Sequence, residues 1–286
     1  MPIHTVTIVG VGLIGGSFGL ALRKHGFAGR ILGVSSARTL QAAVARGAID
    51  EGVSLDEGVR QADLIYLSQP IAKIIAVLPA VKDLARKDAL ITDAGSTKAA
   101  IASRASELFH EGPLFIGGHP MAGKEQRGVE RADPDLFQGA TYVLTPLGEQ
   151  LPSDAIVGEF LGWIGRIGAR SLVLPPQVHD EIVTWTSHLP QLVSSALAAC
   201  VVEQLNSESH LRVAGPGLQD MTRLAESPYE IWRDILSTNR PNLDRALTVL
   251  RQELSRLQEG LASGGLEQEF QRARNARKKL QTGQKP

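Results

Sequence analysis

The chain has 286 residues, 30 Lys plus Arg against 30 Asp plus Glu, and 43% hydrophobic residues. This is the balance of a globular protein, and the length favours two domains. A chain with no net charge lacks the positive field through which proteins bind nucleic acids or anionic membranes. The one cysteine, Cys200, excludes an intramolecular disulfide, and no Cys/His cluster has the spacing of zinc ligands.

No targeting or membrane segment is evident. The N-terminus has neither the basic flank nor the cleavage site of a signal peptide. No apolar run approaches the roughly 18 residues of a membrane span. We therefore expect a soluble, cytoplasmic protein.

Strand-like and helix-like segments alternate through the first 174 residues. Helical patterns at residues 13–24, 38–46 and 154–167 lie between short apolar runs. These runs predict strands at residues 4–9, 31–34, 64–67, 90–92, 114–116, 142–144 and 171–174. The alternation predicts an α/β domain over residues 1–174, with strands buried on both faces by crossover helices.

The pattern changes after Pro175-Pro176, and no further strand is predicted. Apolar residues recur at helical spacing over residues 178–205 and form a face too wide for an ordinary surface helix. Further helices are predicted at 218–224, 228–238 and 241–257. Residues 175–286 should thus form an all-α domain, ending in a basic, solvated helix.

A glycine-rich turn is the strongest local signal. The pattern G-x-G-x-x-G occupies Gly10-Val11-Gly12-Leu13-Ile14-Gly15, between a predicted strand and a predicted helix. Gly10 permits a tight turn, Gly12 lets the backbone approach a pyrophosphate, and Gly15 lets the helix pack on the strand. The helix N-terminus, with Leu13 and Ile14, receives the anion. The turn predicts a Rossmann-type dinucleotide-binding domain.

The end of the second strand bears on which dinucleotide binds. An NAD site usually has Asp or Glu there, whereas this strand is followed by Ser35, Ser36 and Arg38. The two hydroxyls can donate hydrogen bonds to a 2′-phosphate and the guanidinium can pair with it, so we favour NADP over NAD. Alternatively, Ser36 only caps the next helix and Arg38 is solvated.

His119 lies at the C-terminal end of a predicted strand, among glycines that allow a ligand to approach. Ligands of open α/β sheets bind at that edge. A histidine beside a nicotinamide can accept a proton as hydride leaves the same carbon. Ser96 and Thr97 follow another strand, where they could contact a ligand, cap the next helix, or do both.

Two further histidines lie in the long predicted helix. Pro190 should kink this helix, which would bring His188 near an irregular point that could face a cleft. A core position for His188 is an equal alternative. His179 lies nine residues earlier, half a helical revolution away, and is expected to be structural.

Several segments occur together and in order: GVGLIGGSFGLALR, DAGSTK, GGHPMAG, SHLP, and DMTR followed by WRD. The combination resembles the prephenate dehydrogenases and their arogenate and cyclohexadienyl relatives of tyrosine biosynthesis, over about residues 5–255. Many enzymes share the glycine turn, whereas GGHPMAG with a later SHLP and D-x-T-R is far more specific.

This resemblance implies oxidative decarboxylation of prephenate or arogenate, with hydride transfer to NAD(P)+. His119 would take the proton of the ring hydroxyl, and Ser96 would orient that hydroxyl or His119. Arg223 would grip a substrate carboxylate as a bidentate fork. An intrahelical ion pair is the alternative role of Arg223.

The resemblance also implies that Glu125, His188 and Trp232 line the substrate pocket, although core packing is an alternative for Trp232. The helical domain would form a homodimer, in agreement with the wide apolar face over residues 178–205. Hydroxyacid dehydrogenases and imine reductases have the same two-domain plan and remain alternatives. A nucleotide-sensing dimer that has lost its chemistry is the non-enzymatic alternative.

Overall fold

The computed structural model describes residues 3–124, 126–205 and 207–283. Within them one eight-stranded sheet has the strand order β3-β2-β1-β4-β5-β6-β7-β8. Its strands are β1 (Thr5–Val9), β2 (Arg30–Val34), β3 (Glu51–Gly52), β4 (Leu64–Leu67), β5 (Leu90–Asp93), β6 (Leu114–Pro120), β7 (Thr141–Pro146) and β8 (Arg170–Val173). Neighbouring strands are parallel except for the antiparallel pair β6 and β7.

Helices connect most of the strands, and only helices follow the last strand, β8. Those between strands are α1 (Leu13–Lys24), α2 (Ala37–Ala45), α3 (Leu55–Gln61), α4 (Ile71–Leu84), α5 (Ala99–Leu108) and α6 (Ala155–Arg166). Those that follow are α7 (Pro176–Val183), α8 (Leu189–Gln204), α9 (Glu208–Leu211), α10 (Pro216–Thr222), α11 (Tyr229–Thr238), α12 (Arg240–Ser263) and α13 (Leu266–Gly283). The predicted fold class, a Rossmann-type α/β domain followed by an all-α domain, is confirmed.

The inner strands of the sheet are buried on both faces, as their apolar residues require, whereas the edge strands β3 and β8 are exposed, contrary to the burial predicted for all strands. One core cluster includes Phe18 of α1 and Tyr66 of β4, whose rings stack with their centroids 4.1 Å apart. The other cluster includes Ile74 of α4 and Ile91 of β5. Ile235 of α11 joins this second cluster, so the helical domain packs on the same side of the sheet as α4.

The helix predicted over residues 178–205 is irregular just before Pro190, where a kink is expected. A π-helical segment, Thr184–His188, separates α7 from α8. Pro190 follows directly, in the first turn of α8. Because proline has no N–H and its ring crowds the carbonyl four residues earlier, the α-helical hydrogen bonds cannot continue through this point.

The edge strand β3 and the end of helix α12 escape the sequence patterns. The edge strand β3 has only two residues, Glu51 and Gly52, and neither face of it carries an apolar signal. The helix α12 continues to Ser263 and ends where Gly264 adopts a positive φ of 75°. None of the helices described is both long and apolar enough to cross a membrane.

Candidate active site

The glycine turn has the geometry of a dinucleotide cradle. Gly10 follows β1 with φ of 96°, which favours glycine. A Cβ on Gly12 would have no atom within 4 Å, so this part of the backbone is open to the cleft. A Cβ on Gly15 would lie 2.4 Å from the Gly10 carbonyl oxygen. The three glycines therefore meet the separate requirements of the turn, the ligand and the helix–strand contact.

This geometry predicts opposite effects for two similar substitutions. Gly12→Ala places a methyl group where the pyrophosphate would bind, so the dinucleotide Kd should rise at least about tenfold with little change in Tm. Gly15→Ala forces the backbone apart and should lower the free energy of unfolding by about 1–3 kcal/mol. Cofactor titration and thermal unfolding of both variants test this. Similar losses of stability in both would contradict the assignment.

Two adjoining cavities lie at the carboxyl edge of the sheet. The first, of about 410 Å³, is lined by Gly12, Leu13 and Ile14 of the glycine turn. The second has a volume of about 310 Å³. It is lined by four of the predicted site residues, Ser96, His119, His188 and Trp232. The cavities share Ser96, Ala122, Gly123, Ile231 and Ile235, so the glycine turn and the histidines open on one continuous cleft.

His119, on β6, is half-buried and lines the second cavity. Its Nδ1 lies 2.8 Å from Nε2 of His179 on α7. Burial lowers the pKa of His119 well below its usual value, and the nearby His179, Lys98 and His188 lower it further. The His119 imidazole is therefore neutral at neutral pH and has a lone pair available to accept a proton.

Ser96 and Thr97 do not cap the helix that follows them, so that alternative is wrong. Helix α5 begins at Ala99, and the backbone N–H groups of Lys98 and Ala99 donate to the Asp180 carboxylate on α7 at 2.7 and 2.9 Å. Thr97 Oγ1 instead pairs with a threonine of α11 at 2.7 Å. None of the hydrogen bonds of the described residues involves Ser96 Oγ, and Ser96 lines both cavities.

A buried ion pair, absent from the sequence prediction, fixes the backbone before His119. The side chains of Lys98 and Asp93 are fully buried and paired with each other. Lys98 Nζ donates to the Gly118 carbonyl oxygen at 2.8 Å, and Gly118 N donates to Asp93 Oδ1 at 3.1 Å. Burial lowers the pKa of Lys98, partly offset by Asp93. The pair thus ties the end of β5 to the end of β6.

His188 is buried at the end of the π-helical segment. Its Nδ1 lies 3.1 Å from Nδ2 of Asn239. An amide nitrogen can only donate, so Nδ1 of His188 accepts and the neutral ring carries its proton on Nε2. Burial lowers the pKa of His188 to about 4. Trp232 packs against this ring edge-on, with centroids 5.9 Å apart.

The orientation of the Asn239 amide is itself fixed from α12. Arg245 donates to Asn242 Oδ1 at 2.8 Å, so the Asn242 amide nitrogen faces Asn239. Asn242 Nδ2 then donates to Asn239 Oδ1 at 2.8 Å. Asn239 Nδ2 therefore faces Thr184 Oγ1, the Asp180 carbonyl oxygen and His188 Nδ1, and its two hydrogens are shared among these acceptors. This chain of hydrogen bonds sets the donor that His188 can offer to a ligand.

Some predicted residues lie apart from the cavities. Arg223 begins a 3₁₀ turn, is exposed, and lines neither cavity. Glu125 lies outside the described residues.

The predicted NADP determinants, Ser35, Ser36 and Arg38, are exposed just beyond β2. Ser36 also acts as the N-cap of α2, accepting from the backbone N–H of Thr39 at 3.4 Å. A cap and a ligand contact are compatible.

His179 and Asp180 are further residues whose contacts the sequence did not predict. An α-helical projection places His179 half a revolution from His188 and predicts a structural role. The intervening π-helical segment has a wider turn and changes that phase. The adjacent His-Asp pair was the available signal, but only the packing of α7 on α5 shows what it contacts.

The structure combines a Rossmann-type sheet, which has an open glycine turn, with a helical domain that brings a second histidine beside His119. These features define a two-domain dinucleotide-binding protein. Two family models match the chain. "Prephenate dehydrogenase, nucleotide-binding domain" covers residues 18–165, and "Prephenate dehydrogenase, dimerization domain" covers residues 175–273. The chain belongs to the prephenate dehydrogenase family.

Individual relatives agree with this assignment. A prephenate dehydrogenase of Lactococcus lactis is 35% identical over 237 residues, which is 82% of this chain and 64% of the relative. This chain therefore spans less than two thirds of that relative's length. A prephenate dehydrogenase structure from A. aeolicus, in complex with hydroxyphenyl propionate and NAD+, has 30% identity, a TM-score of 0.88 and 99% coverage of both chains. Synechocystis arogenate dehydrogenase has 31% identity and a TM-score of 0.82, with 96% of this chain and 99% of that chain covered.

Proposed function

We propose that this protein catalyses the oxidative decarboxylation of prephenate to 4-hydroxyphenylpyruvate, with arogenate as the alternative substrate. The observation that carries the proposal is the meeting of Ser96, His119, His188 and Trp232 in one cavity beside the glycine turn. The A. aeolicus relative, whose complex contains NAD+ and hydroxyphenyl propionate, supports the same pairing of cofactor and aromatic ligand.

The chemistry follows from the two cavities. A nicotinamide dinucleotide, with its pyrophosphate held at the glycine turn, would supply the hydride acceptor. As hydride leaves the ring carbon, neutral His119 accepts the proton of the hydroxyl on that carbon, and Ser96 orients the hydroxyl. The carbon becomes a carbonyl. The ring carboxylate then leaves as CO2, its bonding electrons make the ring aromatic, and the phenolate oxygen regains a proton.

Substrate binding is assigned to groups around the second cavity. His188, with its proton on Nε2, donates to the side-chain end of the substrate, and Trp232 forms a wall. Glu125 and Arg223 complete the site in the proposal, and both assignments rest on the family motif. The planar guanidinium of Arg223 would hold a carboxylate through two parallel hydrogen bonds.

A substitution at Arg223 tests this contact. Arg223→Ala should raise the substrate KM by about 10–100-fold and change kcat little, because the contact exists in both the ground and the transition state. Arg223→Lys should recover only part of the loss, since lysine cannot form the bidentate pair. Steady-state kinetics with varied prephenate measure both. An unchanged KM in Arg223→Ala would contradict the assignment.

We further propose NADP as the preferred cofactor, on the strength of Ser35, Ser36 and Arg38 beyond β2. The assembly proposed is a cytoplasmic homodimer formed through the helical domain. Along α8 only Gln191 and Ser194 are buried within the chain, which leaves much of its apolar face available to a second copy.

The proposed activity is tested by an absorbance assay of the purified protein with prephenate and arogenate, each with NADP+ and NAD+. We expect reduction with prephenate and faster turnover with NADP+. Reduction with arogenate alone would keep the chemistry and change the substrate. No reduction in any combination, by protein that still binds NADP+, would contradict the proposal and favour a hydroxyacid enzyme or a nucleotide sensor.

A further inference from the structure

We propose that His179 and Asp180 are positioning residues that hold His119 in one tautomer, with the lone pair on Nε2. The inference rests on the proposed function for its catalytic meaning. The tautomer itself can be measured without substrate. The geometry that carries it is a continuous chain from His119 Nδ1 to His179 Nε2, and from His179 Nδ1 to Asp180 Oδ1, with both distances 2.8 Å.

Asp180 anchors the chain as an acceptor. Its Oδ1 accepts from Lys98 N at 2.7 Å and its Oδ2 accepts from Ala99 N at 2.9 Å. These are the first N–H groups of α5, where a negative charge is favoured by the helix dipole and by the unpaired donors. The Asp180 side chain is buried, with a relative exposure of 2%. A carboxylate held by two backbone donors can only accept from a third group.

The proton positions follow in sequence. Because Asp180 accepts, His179 Nδ1 carries a proton. We take His179 as neutral, so that its lone pair lies on Nε2 and accepts from His119. His119 Nδ1 therefore carries the other proton. The lone pair of the His119 ring lies on Nε2, the nitrogen that takes no part in the hydrogen bond to His179. This is the form in which His119 can act as a base.

The same series of hydrogen bonds stabilises the positive charge that catalysis creates on His119. When His119 Nε2 takes the substrate proton, the imidazolium keeps its Nδ1–H donated to His179, and the Asp180 carboxylate lies at the far end of the chain. A serine protease triad uses a buried carboxylate in this way to orient a histidine and stabilise its cation. Here the carboxylate also caps α5, so one side chain joins the helical domain to a helix of the α/β domain and orients the base.

The experiment uses ¹⁵N NMR of the full-length protein labelled at histidine, with the His119 resonances assigned by comparison with His119→Asn. We expect the wild-type protein at neutral pH to show a protonated Nδ1 and an unprotonated Nε2 at His119. In His179→Leu the tautomers should mix or invert. In His179→Gln, whose side-chain oxygen can accept from His119, the wild-type tautomer should be largely retained. A wild-type His119 protonated on Nε2 would overturn the proposal.

Kinetics then connect the tautomer to turnover. His179→Leu should lower kcat about 10²-fold and change the substrate KM less than about threefold, while His179→Gln should recover at least about tenfold of that loss. Equal losses in both variants would overturn the positioning role. If neither substrate is turned over but the wild-type tautomer is as expected, the proposed function fails and the tautomer inference stands.

The acid limb of kcat/KM provides a further readout. The groups that face His119 are His179 and Asp180 from α7, Lys98 and Asp93 from the sheet edge, and His188 from the π-helical segment. With the other groups retained, removing the His179 ring should change the pH at which kcat/KM falls on the acid side of the profile. An acid limb unchanged in His179→Leu would count against the coupling.

Discussion

Replacing His119 by Asn is expected to lower kcat by about 10²–10⁴-fold, the loss typical of a missing general base, and to leave the cofactor Kd unchanged. The Asn amide can still donate toward His179, but it has no basic nitrogen at the position of Nε2. The substitution therefore removes the base and spares its neighbours. Turnover at saturating prephenate and cofactor titration of the same preparation measure the two quantities.

His110→Asn is the matched control, because His110 is an exposed histidine of the same domain that lines neither cavity of the cleft. It should retain wild-type turnover. The wild-type pH profile provides a second comparison. Burial lowers the pKa of His119, so its basic form persists on acidification and kcat/KM should begin to fall only below about pH 6.5. Near-normal turnover in His119→Asn would exclude the proposed base.

The largest expected effect on stability comes from Lys98→Met. Both partners of the Lys98–Asp93 pair have no exposed side-chain surface. Removing the lysine leaves a buried carboxylate without its counter-charge, which should lower the free energy of unfolding by about 3–5 kcal/mol. The same change should loosen the backbone at Gly118, whose carbonyl oxygen accepts from Lys98. Urea denaturation followed by circular dichroism measures the free energy.

Lys24→Met provides the control for that loss. Lys24 pairs with Asp135 at 2.5 Å, but the two side chains are 45% and 49% exposed. An exposed pair contributes at most about 1 kcal/mol, so this variant should stay close to wild type. Comparable losses in Lys98→Met and Lys24→Met would mean that burial of the first pair has no special energetic role.

The sequence was sufficient for the parts of the molecule that depend on local pattern. Gly10, Gly12 and Gly15 occupy the turn that their spacing predicts, because a G-x-G-x-x-G between strand and helix encodes its own backbone geometry. The strand that carries His119 was likewise evident from its apolar run, although β6 continues four residues beyond the predicted end. His119 is paired antiparallel with Val143 of β7 in that extension.

Long-range contacts could not be predicted in this way. Asp180 caps α5 across 81 residues of sequence, and no local rule assigns a cap to another helix. The π-helical segment before Pro190 changes the angle around the helix axis between His179 and His188. A projection on a regular α-helix therefore places His179 incorrectly. Within DAGSTK, Lys98 looks like an ordinary polar residue. Its burial follows only from the packing of β5 against β6, which the local sequence does not show.

We propose that one site transfers hydride and expels CO2 from the same substrate. The most direct measurement is the stoichiometry of CO2 released to cofactor reduced when the purified protein acts on prephenate, with 4-hydroxyphenylpyruvate quantified in parallel. We expect equal amounts of all three, each formed about 10²–10⁴-fold more slowly by His119→Asn. CO2 released without reduction of NADP+ or NAD+, or cofactor reduced without loss of CO2, would contradict the account.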